Sequence, residues 1–122
     1  MINKITITRK KQFAGSAIKY FVVLNLDKEV FNQNIGMKEK LSLGGAKNSF
    51  LNESDRIFPL TNGQTVILDA LEAKNSFFIV AFTSAGRLFS EKIVVDDAQE
   101  VPHYSVTLKM GLLQNKFIVD KI

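Results

Sequence analysis

Six consecutive apolar residues, Phe77-Phe78-Ile79-Val80-Ala81-Phe82, constrain this chain more than any other stretch. The run is strand length, is rich in aromatic and branched residues, and has no polar position at helical spacing. Thr83-Ser84-Ala85-Gly86-Arg87 breaks it with turn residues, and Leu88-Phe89-Ser90-Glu91-Lys92-Ile93-Val94-Val95 returns, so Ser76 to Val95 reads as a β-hairpin. On a strand, Phe77, Ile79 and Ala81 face one way while Phe78, Val80 and Phe82 face the other. Apolar side chains on both faces require a central strand covered on two sides, by a second sheet or by helices. The return arm is more amphipathic, with Ser90 and Lys92 on one face and Glu91 on the other.

The same period of two recurs along the chain. Lys4 to Thr8 alternates, with Ile5 and Ile7 inward and Lys4, Thr6 and Thr8 outward. A loop follows to Ser16, and its lone aromatic, Phe13, is expected to plug one end of the core. Ile18, Tyr20, Val22 and Leu24 share one face of a second internal strand, whose other face carries Lys19, Phe21 and Val23. Leu26-Asp27-Lys28-Glu29 reads as a turn, and Val30-Phe31 as the start of a short partner strand. Leu41-Ser42-Leu43 alternates briefly before Gly44-Gly45. Residues 44–56 form the longest loop, with a helical turn over 49–55 as the alternative.

Ile57-Phe58-Pro59-Leu60 suits an edge strand, because Pro59 cannot donate to a ladder. Asn62-Gly63 then signals a turn. Residues 65–72 read as a strand, with Val66, Leu68 and Ala70 on one face, or as a helix, with Ile67, Leu68 and Leu71 on one side. The Asn-Gly punctuation and the neighbouring strands favour the strand. Beyond the acidic loop over 96–100, Tyr104, Val106, Leu108 and Met110 face inward, and Ser105, Thr107 and Lys109 outward. Residues 111–115 turn the chain, and Lys116 to Ile122 closes it with Phe117 and Val119 on one face. Short strands separated by turn signals at about ten-residue intervals indicate a β-sandwich or a barrel. Two local similarities, Tyr20 to Phe31 with Phe77 to Phe89 and Ala46-Lys47-Asn48-Ser49-Phe50 with Ala73-Lys74-Asn75-Ser76-Phe77, have different offsets and so do not make a repeat.

The order of an Ile5-Thr6-Ile7 strand, Arg9-Lys10-Lys11, Phe13, Gly15-Ser16 and the apolar Tyr20-to-Leu24 strand resembles small uncharacterised immunoglobulin-like β-sandwich proteins. The resemblance extends to Gly45 and includes the hairpin region. It implies an all-β fold, an immunoglobulin-like antiparallel β-sandwich of about seven to nine strands rather than a closed barrel. No functional residue comes with it. The 122 residues form a single domain, 1–122, long enough to bury roughly two-thirds of the unfolded surface.

Composition removes several function classes. Apolar content of 46% and charged content of 23% are ordinary for a globular chain. The absence of Cys excludes a disulfide framework, a thiolate metal site and a cysteine nucleophile. The N-terminus lacks the charge-then-apolar order of a secretory signal, and no run is long enough to span a bilayer. A cytoplasmic protein with no membrane partner is expected. A net charge of +4 permits weak affinity for anionic polymers, but Arg9-Lys10-Lys11 is the one basic cluster and reads as a solvated strand end. Most phenylalanines sit in apolar strand patterns rather than as stacking platforms, so no nucleic-acid partner is expected.

The enzyme case rests on one histidine, His103. A general base needs a nucleophile within hydrogen-bond reach and an orienting partner, and Ser84 and Ser105 are the candidates. No nucleophile elbow, phosphate loop or His-rich metal spacing occurs, and His103 reads as a surface residue on an outward strand face. Asp96, Asp97 and Glu100 are the densest carboxylates, but they lack the glycine and the alternating Asp order of a calcium loop. Asp69 and Glu72 have the character of paired glycosidase acids, but solvent-facing acids explain them more simply. Asn52-Glu53-Ser54 matches a glycosylation acceptor that matters only in an exported protein.

The reading that results is a non-enzymatic interaction module, acting on a protein partner or by self-association, with no catalytic, cofactor-binding or metal residues. Its candidate surfaces are the loops over 44–56 and 96–102 and the edges of the first and last strands. The alternative is a small hydrophobic-ligand binding β-barrel, its void lined by Phe21, Phe78, Phe82 and Phe89. A weaker alternative is a hydrolase using His103.

Overall fold

The computed structural model describes residues 4–13, 18–34, 56–83, 86–96, 101–109 and 115–122, including all their side chains except those of 33, 34, 82 and 83. In chain order the elements are β1 (Lys4–Arg9), β2 (Tyr20–Leu24), α1 (Lys28–Asn34), β3 (Ile57–Leu60), β4 (Thr65–Asp69), β5 (Ser76–Thr83), β6 (Gly86–Phe89), β7 (Ile93–Val94), β8 (His103–Lys109) and β9 (Lys116–Lys121). They form two sheets. The first has the order β4-β1-β8-β9 and the second β3-β2-β5-β6, with β7 also on β5. Among the described residues no strand pairs across the two sheets, so they do not close into a barrel.

One pairing departs from the antiparallel expectation. β1 and β8 run parallel, with Thr6 opposite His103 and Thr8 opposite Ser105, while every other described pair is antiparallel. Parallel neighbours need a long crossover, and here the whole second sheet lies in the connection between them.

The two sheets share one core. Ile5, Ile7, Leu68, Tyr104, Val106, Leu108 and Phe117 from the first meet Tyr20, Val22, Leu24, Leu60, Phe77, Ile79 and Ala81 from the second. These are the inward positions of the period-two patterns, and the segment over 65–72, read as strand or helix, forms strand β4 over Thr65–Asp69. Covering such side chains contributes roughly 1.5–3 kcal/mol for each large one.

The far face of the second sheet carries Phe21, Val23, Phe78 and Val80, and Phe31 seals it. Phe31 meets Phe78 at 5.7 Å and Phe89 at 6.3 Å between ring centres, both edge-on. The double-sided run of β5 is therefore covered by a sheet on one side and a helix on the other. Lys28-Glu29, expected to end a turn, and Val30-Phe31, expected to open a strand, lie in α1 instead. A further strand beside β2 would leave the outer phenylalanines bare, whereas a helix crossing the face covers them. The Asp27 carbonyl accepts the Phe31 N–H at 2.9 Å, which starts the first turn, and Glu29 in that turn suits the helix dipole.

The central hairpin is tighter than its turn residues suggest. Thr83 pairs with Gly86, so both are strand residues, and Gly86 takes a φ of 121° that favours glycine. Its return arm is interrupted by a bulge. The ladder passes from Val80 opposite Phe89 to Phe77 opposite Ile93, which places one extra residue on the return side. Buried Ser90 fills the break: its N–H donates to the Ile79 carbonyl at 2.8 Å, and its hydroxyl accepts the Ile79 N–H at 2.8 Å.

Phe13 does not plug the core; it is 99% exposed. Arg9 occupies that end of the interior instead, and Gln12 holds the segment against β8. The Gln12 amide donates to the Leu108 carbonyl at 3.0 Å and accepts the Leu108 N–H at 2.9 Å. Pro59 lies in edge strand β3, and Gly63 has the positive φ that the turn before β4 requires. The expected strand over 41–43 and the loop and glycosylation triplet over 44–55 fall outside the described residues.

Candidate functional site

The first sheet turns a hydroxyl-rich face outward. Thr65, Thr8 and Ser105 sit side by side on β4, β1 and β8, and Asp120 of β9 continues the row. His103 projects from the same face of β8. Its Nε2 is hydrogen-bonded to Thr8 Oγ1 at 2.8 Å, and that hydroxyl also meets Thr65 Oγ1 at 2.8 Å. The imidazole is thus engaged with a threonine on the neighbouring strand rather than with Ser105, which is buried although its strand parity points it outward. Ser84 lies outside the described residues.

The carboxylates are dispersed. Asp96 pairs with Lys121 and donates its backbone N–H to Tyr104 Oη at 2.9 Å, while Asp97 and Glu100 lie outside the described residues. Asp69 pairs with Lys4, and Glu72 lies 3.6 Å from Arg56, so each acid has its own cation. Among the described residues no three His, Asp or Glu gather as a metal site. No helix among them is long and apolar enough to cross a membrane. Of the four phenylalanines considered for a ligand void, Phe21, Phe78 and Phe89 pack under α1, and the Phe82 side chain is outside the described set.

Arg9 leaves the basic cluster altogether. It is 2% exposed, and its Nη1 donates to the Ile18 carbonyl at 2.7 Å and the Leu60 carbonyl at 3.0 Å. Burial lowers its pKa from the usual arginine value, and the neighbouring Tyr20 acts in the opposite direction. The signal was present in the sequence: counting by two from Ile5 through Ile7 lands on Arg9. Lys10 and Lys11 alone remain exposed.

The strand ends of the sheets are not equally accessible. β3 is short and carries Pro59, and the β6–β7 edge is broken by the Ser90 bulge, two ordinary ways of discouraging a further strand. The first sheet has no such device: β4 shows Ile67 at 65% exposure, and β9 is six residues long. Along β9 runs an open cleft of about 480 Å³, walled by Phe89, Ser90, Glu91 and Ile93 on one side and by Lys109 and residues 116–119 on the other. Successive strand residues point to opposite faces, so four consecutive lining residues mean that the cleft follows the strand's backbone edge. Of the two strands expected as edges, the last, β9, is one, but the first, β1, is not: it pairs with β4 on one side and β8 on the other. The cleft has no signal in the sequence, because it exists only where β6 and β9 approach from different sheets.

No protein-family model matches the chain, and no curated protein matches it either.

Proposed function

We propose that the chain is a non-enzymatic interaction module, built as an immunoglobulin-like β-sandwich and working in the cytoplasm by binding a protein surface, including a second copy of itself. One observation carries the reading. Both outer strands of the first sheet, β4 and β9, pair on one side only among the described residues, and neither carries a proline or a bulge. Unpaired backbone donors and acceptors along such a strand are a ready template for a further strand. What supports the non-enzymatic side of the proposal is that the His103 imidazole is hydrogen-bonded to Thr8, which in turn meets Thr65, rather than to the candidate nucleophile Ser105.

The test is light scattering across a concentration series, run beside native mass spectrometry of the protein as purified. A closed assembly free of small molecules is the expected result. A monomer carrying a co-purified apolar molecule would replace this reading with ligand binding, the cleft beside β9 being its first candidate site. Loss of a measured hydrolytic activity in His103→Ala, with the fold intact, would restore the enzyme reading.

A further inference from the structure

We infer that two copies of this chain pair antiparallel through β9, in one register centred on Ile118. The inference rests on the self-association reading above and specifies its geometry. The Ile122 N–H donates to the His103 carbonyl at 2.8 Å, which fixes the alternation of the β8–β9 ladder. From that bond, the backbone groups of Lys116, Ile118 and Asp120 face β8. Those of Phe117, Val119 and Lys121 therefore face away from β8, Phe117 and Val119 into the open cleft.

A two-fold axis at Ile118 brings Phe117 of one copy opposite Val119 of the other. The outward N–H groups and carbonyls of Phe117 and Val119 in each copy then find partners, Lys121 falls opposite Asn115, and the two Ile118 residues form the closely spaced, non-hydrogen-bonded pair at the centre. The side chains agree with the backbone. On the core face, Phe117 meets Val119, extending the shared interior across the axis. On the outer face, Lys116 of each copy meets Asp120 of the other, flanking Ile118. Shifting the centre to Phe117 or Val119 loses both Lys–Asp pairs and sets charge against apolar side chains. Only one register satisfies everything.

The protomer itself leaves these charges unsettled. Lys116 is directly opposite Lys109 on β8, a like-charge pair that disfavours the isolated hairpin. Asp120 is exposed opposite Ser105, and among the described residues neither Lys116 nor Asp120 has an ion-pair partner. A second copy supplies a carboxylate to each Lys116 and an ammonium to each Asp120. Such an interface is isologous and closes at two copies, which leaves no free β9 edge for further growth.

The experiment is sedimentation equilibrium of the wild-type chain, K116D, D120K and an equimolar mixture of the two variants. Both substitutions are at exposed positions, so the fold is expected to survive them. Wild type is expected to be a dimer, each variant alone to dissociate about tenfold more readily, and the mixture to recover the dimer, because unlike charges face again. A cysteine-free chain also permits a direct check of the register. Ile118→Cys places two thiols across the axis at a Cα separation of about 4.5 Å, within disulfide reach, and should oxidise to a covalent dimer. Ile67→Cys, on the opposite edge of the same sheet, should not.

A wild-type chain that stays monomeric and free of small molecules overturns the β9 pairing without touching partner recognition. A dimer in which Ile118→Cys oxidises no faster than Ile67→Cys, or in which mixing fails to restore association, also overturns it while self-association stands. A monomer with a bound apolar molecule removes both readings.

Discussion

The Arg9 guanidinium carbon lies 3.4 Å from the centre of the Tyr20 ring, inside the core where β1, β2 and β3 converge. A cation is tolerated there because its surroundings replace water. The ring face attracts the charge, and two backbone carbonyls accept its protons. The Tyr20 ring in turn meets Phe117 of β9 edge-on at 4.9 Å, which links this corner of the interior to the strand beside the open cleft.

Replacing Arg9 tests that account. Arg9→Ala leaves the buried Leu60 carbonyl and the half-buried Ile18 carbonyl without this donor and opens a cavity, with an expected cost of about 3–5 kcal/mol in urea unfolding. Arg9→Lys keeps the charge but not the planar fork, and should still cost about 1–3 kcal/mol. If Arg9 were a solvated strand end, both losses would be within a few tenths of a kcal/mol.

Tyr20 makes the same corner sensitive to alkali. Burial raises its pKa above the ordinary tyrosine value of 10.0, and the Arg9 charge offsets only part of that shift. The unfolded chain therefore releases the phenolic proton at lower pH than the folded one. Stability from this group is complete below pH 10.0 and declines as the pH rises toward its folded value. Unfolding midpoints measured from pH 8 upward should fall beyond about pH 10, and Tyr20→Phe should flatten that part of the profile.

Asn75 closes the opposite end of the second sheet. Its side-chain oxygen accepts from the Glu72 N–H at 3.1 Å and from the Asn25 amide at 2.9 Å, while its own amide donates to the Glu72 carbonyl at 2.8 Å. Asn25 sits at a φ of 55° and accepts the Ser76 N–H on its side chain at 2.9 Å. Asn75→Ala should cost about 2–3 kcal/mol by removing several of these partners at once. At Asn25, Gly should be tolerated better than Ala because the backbone is left-handed there. Equal losses for the two Asn25 variants would remove the backbone argument.

Phe31 is the third stability element, because it is the fully buried aromatic that α1 lays on the outer face of the second sheet, beside the Lys28 ammonium over the Phe78 and Phe89 rings. Phe31→Ala is expected to cost about 3–5 kcal/mol and to release α1 from β2 and β5. Hydrogen exchange would then accelerate over 28–34 more than over β8. Protection that fell evenly across the chain would mean that α1 and the sheet unfold as one unit.

Most of the architecture could be read along the chain, because burial in a strand follows the period of two. Ile5 and Ile7, Tyr20 through Leu24, Phe77 through Ala81, and Tyr104, Val106 and Leu108 occupy the buried positions that alternation assigns to them. The demand for two-sided cover on β5 was equally local, since a strand with apolar side chains on both faces cannot leave either one in water. The identity of the cover was not local. Val30-Phe31 suits a short strand by composition, and only the bare outer face formed by Phe21 and Phe78 together makes a helix the better solution.

The sequence by itself determined where most of the described strands lie and which of their faces are apolar, because those properties depend on side chains a few residues apart. Tertiary structure decided the parallel placement of β1 against β8, the choice of the Tyr20 ring and two distant carbonyls as the partners of inward-facing Arg9, and the outward turn of Phe13. It also decided which backbone edges remain open. Each of these depends on groups brought together from distant parts of the chain: the cleft along β9 exists because Phe89 and Ile93 in one sheet stand beside residues 116–119 in the other. No periodicity within either strand encodes that neighbour.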